Sequence, residues 1–128
     1  MNATRVLVVE DNERNLKLVR DVLQYAGYEI IEASTGKEGV ELAQSLTPDV
    51  ILMDLQLPDI DGMEALRRIR KSPATADVPV IAVTAFAMRN DRARAFDAGF
   101  DGYLEKPLSV RELPAQVQQF LTARRTPP

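Results

Sequence analysis

The chain has 128 residues, 45% of them hydrophobic and 27% charged, the size and balance of one folded domain rather than a disordered or fibrous chain. Sixteen basic against nineteen acidic residues leave a net charge of −3, which argues against a general nucleic-acid binder. With no Cys and no His, disulfides, zinc centres, thiol nucleophiles and histidine-based triads are excluded; any chemistry falls to carboxylates, hydroxyls, Lys, Arg and a hard metal ion.

In chain order, Arg5-Val6-Leu7-Val8-Val9 predicts a first strand, and the acids Glu10-Asp11 that follow it rule out a signal-peptide core. Leu16, Val19, Leu23 and Ala26 then share one face of a helix that Gly27 ends. A second strand is predicted at 29–33. Val40, Ala43 and Leu46 mark a second helix stopping at Thr47-Pro48. After a third strand at 49–53, Met63, Leu66, Ile69 and Arg70 belong to a third helix, closed by Ser72-Pro73. A fourth strand at 79–83 precedes a helix from about Asn90 to Ala98, ended by Gly99. A weaker strand at 101–104 leads to a helix over Val110–Ala123, for which Ser109 and Glu112 read as a capping box. Pro114, past the first turn of that span, calls for a kink or a later helix start.

Five β-α units with near-continuously apolar strands predict an α/β fold, a doubly wound parallel sheet covered by helices on both faces. One domain over 1–123 and a loose tail, 124–128, are expected. No apolar run approaches the roughly 20 residues of a membrane span, so a cytoplasmic protein with no membrane partner is expected.

Ligands of open parallel sheets bind beyond the carboxyl ends of the strands. There the first strand delivers Glu10 and Asp11, the third Asp54, the fourth Thr84 and the fifth Lys106, followed by Pro107. Converging carboxylates need a cation, and oxygen-only ligands favour Mg²⁺. The ammonium of Lys106 and the hydroxyl of Thr84 suit phosphoryl oxygens. Asp54, alone at its strand end, is the candidate nucleophile for an aspartyl phosphate, with Glu10 and Asp11 as metal partners.

The acidic pair Glu10-Asp11, the segment Leu52-Met53-Asp54 running to Leu57-Pro58 and Asp61-Gly62, Thr84-Ala85, Tyr103 and Lys106-Pro107 together resemble the receiver domain of two-component response regulators, over roughly residues 5–121. Glu10-Asp11-Asn12, Leu55-Gln56-Leu57-Pro58 and Thr84-Ala85-Phe86-Ala87-Met88 look closest to DivK-like single-domain regulators and hybrid-kinase receivers. The resemblance implies the CheY-like, flavodoxin-like sheet order 2-1-3-4-5. It implies that Asp54 accepts phosphate from a histidine kinase or histidine phosphotransfer protein. Asp11, Asp54 and the backbone carbonyl of Gln56 would bind Mg²⁺ directly, and Glu10 mainly through water. Lys106 would pair with the phosphoryl group, and the Lys106-Pro107 bond would be cis. Thr84 and Tyr103 would form the switch, the Tyr103 ring turning inward.

Because the chain ends with the last helix, no effector domain is expected: the signal would pass to a downstream protein target through the chain's own surface, without direct DNA binding. Phe86 and Met88 are candidates for that partner surface, or else core. Phe86 also supplies no polar group to orient a hydrolytic water, which predicts a phosphoryl lifetime on the order of minutes or longer, although Gln56 could orient one.

Two other functions compete. A phosphorylation-independent pseudo-receiver would show a damaged acidic pocket. An aspartate-nucleophile phosphatase would carry a second Asp where Gln56 stands, so no small-molecule turnover is expected. Arg67, Arg68, Arg70, Lys71, Arg89, Arg92 and Arg94 read as solvated helix faces. Asp59-Ile60-Asp61-Gly62 fails as a calcium loop, with Leu57 and Arg68 at its end positions, and Thr35-Gly36-Lys37 lacks the upstream glycine of a phosphate loop.

Overall fold

The computed structural model describes residues 3–85 and 91–122. In chain order they form β1 (Arg5–Val9), α1 (Glu13–Tyr25), β2 (Glu29–Ala33), α2 (Gly36–Leu46), β3 (Val50–Asp54), α3 (Gly62–Lys71), β4 (Val80–Thr84), α4 (Asp91–Ala98), β5 (Gly102–Glu105) and α5 (Leu113–Thr122). The five strands are all parallel, in the order β2-β1-β3-β4-β5, as the resemblance implied. Phe86 and Met88, the proposed start of α4 at Asn90, and the tail 124–128 lie outside the described residues.

Side chains alternate across the sheet with the strand period of two. Val6, Val8, Leu52, Ile81 and Val83 pack on one face against Val19 and Leu23 of α1 and Leu113 and Val117 of α5. Leu7, Val9, Ile51, Met53 and Ala82 pack on the other face against Val40 and Ala43 of α2, Leu66 and Ile69 of α3 and Ala95 of α4. Every residue of β3 and β4 is buried, which explains why these strands read as apolar runs without alternation. Among the described residues, no helix is long and apolar enough to cross a membrane.

The last three strands start one residue later than the sequence pattern predicted. Pro79 has no N–H for the ladder and enters it only by accepting from Ile51 N at 2.9 Å. Asp49 uses its carboxylate to take the Arg5 N–H at 2.8 Å, before β3 begins. Asp54 and Thr84 are therefore the final strand residues rather than the first loop residues.

The last helix starts late, at Leu113, so Pro114 lies in its first turn, where a missing N–H costs nothing. Ser109 accepts from the Glu112 N–H at 3.2 Å, which places the predicted cap in the turn leading into α5. Gly27 and Gly99 take φ of +100° and +112° after α1 and α4, as helix-ending glycines. Ala26, assigned to the apolar face of α1, is instead its exposed C-cap.

Arg70 also corrects the sequence reading. Its side chain is only 18% exposed. It donates to the carbonyls of Ala76, Val78 and Gly99 and to Asp101 Oδ2 at 2.6 Å, tying α3 to the start of β4 and the end of α4. Arg67 and Arg68 do lie on a wet face, paired with Glu64.

Candidate functional site

The carboxyl ends of β1, β3, β4 and β5 converge as expected. Glu10 follows β1 directly, its N–H held by Ala33 O at 2.9 Å. Asp54 closes β3, next to the paired residues Val9 and Met53. Thr84 closes β4, and its carbonyl accepts from the Lys106 N–H at 2.8 Å, which sets Lys106 against that strand end. The Lys106-Pro107 peptide is cis. Asn12 caps α1 through its side chain at Asn15 N. Its own N–H donates to Glu10 Oε2 at 3.2 Å, so the helix start also orients the acid before it.

Glu10, Asp54 and Thr84 are almost completely buried, at 5%, 5% and 1% exposure. Lys106 Nζ lies 2.6 Å from Glu10 Oε1 and 2.9 Å from Asp54 Oδ2. Asp54 Oδ1 accepts the Gln56 N–H at 2.9 Å. The Asp54 carboxylate is thus gripped at one oxygen by a side-chain cation and at the other by the backbone of the following loop.

Burial pushes the Glu10 carboxyl above its ordinary value, opposed by its hydrogen bond to Lys106. Burial works against the Lys106 charge, but its bonds to Glu10 and Asp54 outweigh this and hold the ammonium above its ordinary value. The lysine is therefore fully charged at neutral pH.

Asp11, which is exposed, completes a group of three. One carboxylate oxygen from each of Glu10, Asp11 and Asp54 lies within 4.8 Å of the others. Three acids against one ammonium leave an excess of negative charge, and the donors are all oxygen. That combination fits a hard divalent cation and disfavours a softer metal.

A cleft of about 310 Å³, lined by Leu18, Val19, Ala85, Pro107 and Leu108, opens beside Glu10 and Lys106 and gives access to the site. The Gln56 side chain is exposed; only its backbone meets Asp54. Tyr103 does not border the acids. Its ring is buried at 9% exposure in the cluster containing Ala82 and Ala95, with no hydrogen-bond partner for the hydroxyl among the described residues.

Two contacts escaped the sequence reading. The Lys106–Glu10 pair joins residues far apart in the chain, and residue types alone give no signal for it. The second is Asp59, whose carboxylate accepts from Gly36 N at 2.8 Å and Lys37 N at 2.9 Å. Those two N–H groups belong to Thr35-Gly36-Lys37, so the segment rejected as a phosphate loop already has its donors occupied by the protein. Asp61 turns the other way and caps α3 at Glu64 N, which explains why Asp59 and Asp61 do not form a cation loop.

The sequence model described as the response regulator receiver domain matches residues 6–118. The polar-differentiation response regulator DivK of Brucella ovis is 42% identical over 116 residues, covering 91% of this chain and 94% of the relative. Among solved structures, a receiver domain of a sensor histidine kinase from Pseudomonas aeruginosa, with a magnesium ion coordinated in its active-site cleft, superposes with a TM-score of 0.87. It shares 36% identity and covers 94% of this chain and 99% of that one. A CheY-like receiver domain protein from Methanospirillum hungatei gives 0.87 at 29% identity, covering 95% and 96%. Buried acids at the carboxyl edge of a 2-1-3-4-5 sheet, a matching family sequence and matching solved folds lead to one conclusion: the chain belongs to the CheY-like response regulator receiver domains and is closely related to the DivK-like single-domain regulators.

Proposed function

We propose that the chain is a phosphoacceptor in a two-component phosphorelay, taking a phosphoryl group on Asp54 from a histidine kinase or histidine phosphotransfer protein and signalling by protein–protein contact. The observation that carries this reading is the double grip on Asp54, with Lys106 Nζ on one oxygen and the Gln56 N–H on the other, beside two further acids. A carboxylate at a buried strand end with a charged lysine in contact is positioned and compensated for attack on an anionic donor. An Asp54 oxygen forms the new P–O bond as the donor's P–N bond breaks, and the imidazole leaves on the partner protein with its proton.

Lys106 can transfer its bond from Asp54 to a phosphoryl oxygen while keeping the one to Glu10, so it stays paired throughout. The hydroxyl of Thr84 lies at the adjacent strand end and supplies a second donor. A magnesium ion would be held by Asp11, Asp54 and the Gln56 carbonyl, with Glu10 nearby, and would neutralise charge on the transferring group. The intact acidic cluster supports this function over a receiver that never accepts phosphate.

Thr84 and Tyr103 would couple the phosphoryl group to the α4-β5-α5 face as a shift between two packings. The match to 94% of the length of a DivK protein supports a regulator of that single-domain size, acting in the cytoplasm on a downstream protein rather than on DNA. The test is transfer from a phosphorylated histidine phosphotransfer protein with Mg²⁺. Label moving to the chain, and blocked by EDTA, supports the function; no transfer from any such donor, and none from acetyl phosphate, overturns it.

A further inference from the structure

We propose that Asp59 is a positioning residue for phosphoryl transfer: by tying loop 55–61 to the start of α2, it holds the backbone of Gln56 against Asp54. The inference rests on the phosphoacceptor reading of Asp54 and adds a residue that touches neither acids nor phosphate.

The loop is fastened at three points. At its near end, Gly62 N donates to Leu55 O at 3.0 Å. A Cβ on Gly62 would meet Asp54 O and Leu55 Cα at 2.8 Å each, so the backbone closes tightly on the phosphoacceptor. At its far end, Asp61 caps α3 at 2.8 Å from Glu64 N. In the middle, Asp59 reaches out of the loop to Gly36 N and Lys37 N, more than 20 residues away in sequence.

A second observation supports the middle anchor independently. A Cβ on Gly36 would lie 2.5 Å from Ile60 Cγ1 and 3.0 Å from Ile60 O, so the residue after Asp59 packs directly on the start of α2. The short distance needs glycine at position 36.

Helix capping alone does not account for Asp59. The helix already has a cap from its own chain, since Thr35 Oγ1 accepts from Glu38 N at 3.1 Å. Asp59 serves the two remaining N–H groups, and both of its oxygens are used at once. Charge-assisted bonds of this kind to a helix N-terminus are among the stronger local restraints available to a surface loop. Released at this point, the five residues between Leu55 and Asp61 would keep only the packing of Leu57 and Ile60, and Gln56 would be held less firmly against Asp54.

The decisive comparison is Asp59→Ala against Thr35→Ala, which removes a cap from the same helix without touching the loop. Hydrogen exchange of the Gln56 N–H is measured by NMR in the full, metal-free, unphosphorylated chain, relative to the Leu52 N–H of β3, so that any global loss of stability divides out. Asp59→Ala should speed the relative exchange about fivefold to tenfold, as expected for losing one or two such hydrogen bonds, and Thr35→Ala should leave it unchanged. Asp59→Asn, which keeps one acceptor oxygen, should fall between them and carries the comparison if the alanine variant does not fold. The second-order rate of phosphorylation by acetyl phosphate should fall several-fold in the Asp59 variants only. Equal effects of Asp59 and Thr35 substitution, or Gln56 exchange unmoved in the Asp59 variants, would overturn the proposal. So would a wild-type rate of phosphorylation in those variants. If the wild-type chain itself takes up no phosphoryl group, the Asp54 assignment falls, while the exchange comparison still decides whether Asp59 holds the loop.

Discussion

Substituting Lys106 by Met keeps most of the aliphatic stem and removes the one ammonium that touches both Glu10 and Asp54. Deleting one partner of a buried ion pair costs about 3–5 kcal/mol, because the remaining charge is left uncompensated. Here Lys106 is 15% exposed and a cleft adjoins it, so water partly replaces the lost cation and about 2–3 kcal/mol is the better figure. For a chain of this size, roughly 3–5 °C of melting temperature accompanies each kcal/mol, so Lys106→Met should melt about 6–15 °C below wild type at neutral pH in EDTA. Mg²⁺ should then stabilise the variant more than the wild type. A divalent ion at a hundred times its Kd contributes about 2.7 kcal/mol, and in the variant it meets the three acids without a competing ammonium. The assay is thermal melting in EDTA and in a Mg²⁺ titration, followed by circular dichroism. A variant as stable as wild type in EDTA, or one gaining less from Mg²⁺ than wild type, would refute the electrostatic account of the site.

Further outcomes follow from other parts of the fold. Arg70→Ala strips four carbonyl and carboxylate contacts from the junction of α3, β4 and α4; it should cost about 2–3 kcal/mol in urea unfolding. A double-mutant cycle with Asp101→Asn should show coupling on the order of 1 kcal/mol, and strict additivity would contradict the direct pair. Gly62→Ala places a methyl 2.8 Å from backbone atoms of residues 54 and 55; a loss of about 2–3 kcal/mol is expected, with slower phosphorylation in parallel. Asp59 has its pKa lowered from 3.8 to about 2; its slight burial acts in the opposite direction, but backbone bonds from Lys37 and Gly36 prevail. A depressed carboxylate contributes stability that is present above its unfolded pKa and lost as pH falls through its folded one. After discounting for solvent screening at this exposed site, wild type should exceed Asp59→Asn by about 1 kcal/mol at pH 6, and the gap should close towards pH 2. A gap that stays constant over that range would contradict the assignment.

Much of the site was legible because its residues are punctuation at strand ends. The near-continuous apolar runs located the strands, and the polar residues that follow them gave Glu10, Asp54, Thr84 and Lys106 without any knowledge of side-chain geometry. The one-residue offset of β3 and β4 arose because the pattern counts apolar residues, whereas the ladder counts N–H groups, and Pro79 has none. Arg70 was misread because helical periodicity places it on the inner face but does not show which carbonyls wait there; those come from the ends of two other elements. Asp59 was invisible for a similar reason. Its partners are backbone N–H groups of another unit, and backbone groups leave no residue-type signature beyond the small residue, Gly36, that their proximity requires.

The central claim is that Asp54 accepts the phosphoryl group, and intact-mass spectrometry after incubation with acetyl phosphate and Mg²⁺ tests it most directly. Wild type should gain one phosphoryl group that maps to the peptide containing Asp54, and Asp54→Asn should gain none. Equal uptake by the Asn variant, or a phosphoryl group mapping to another residue, would contradict the account.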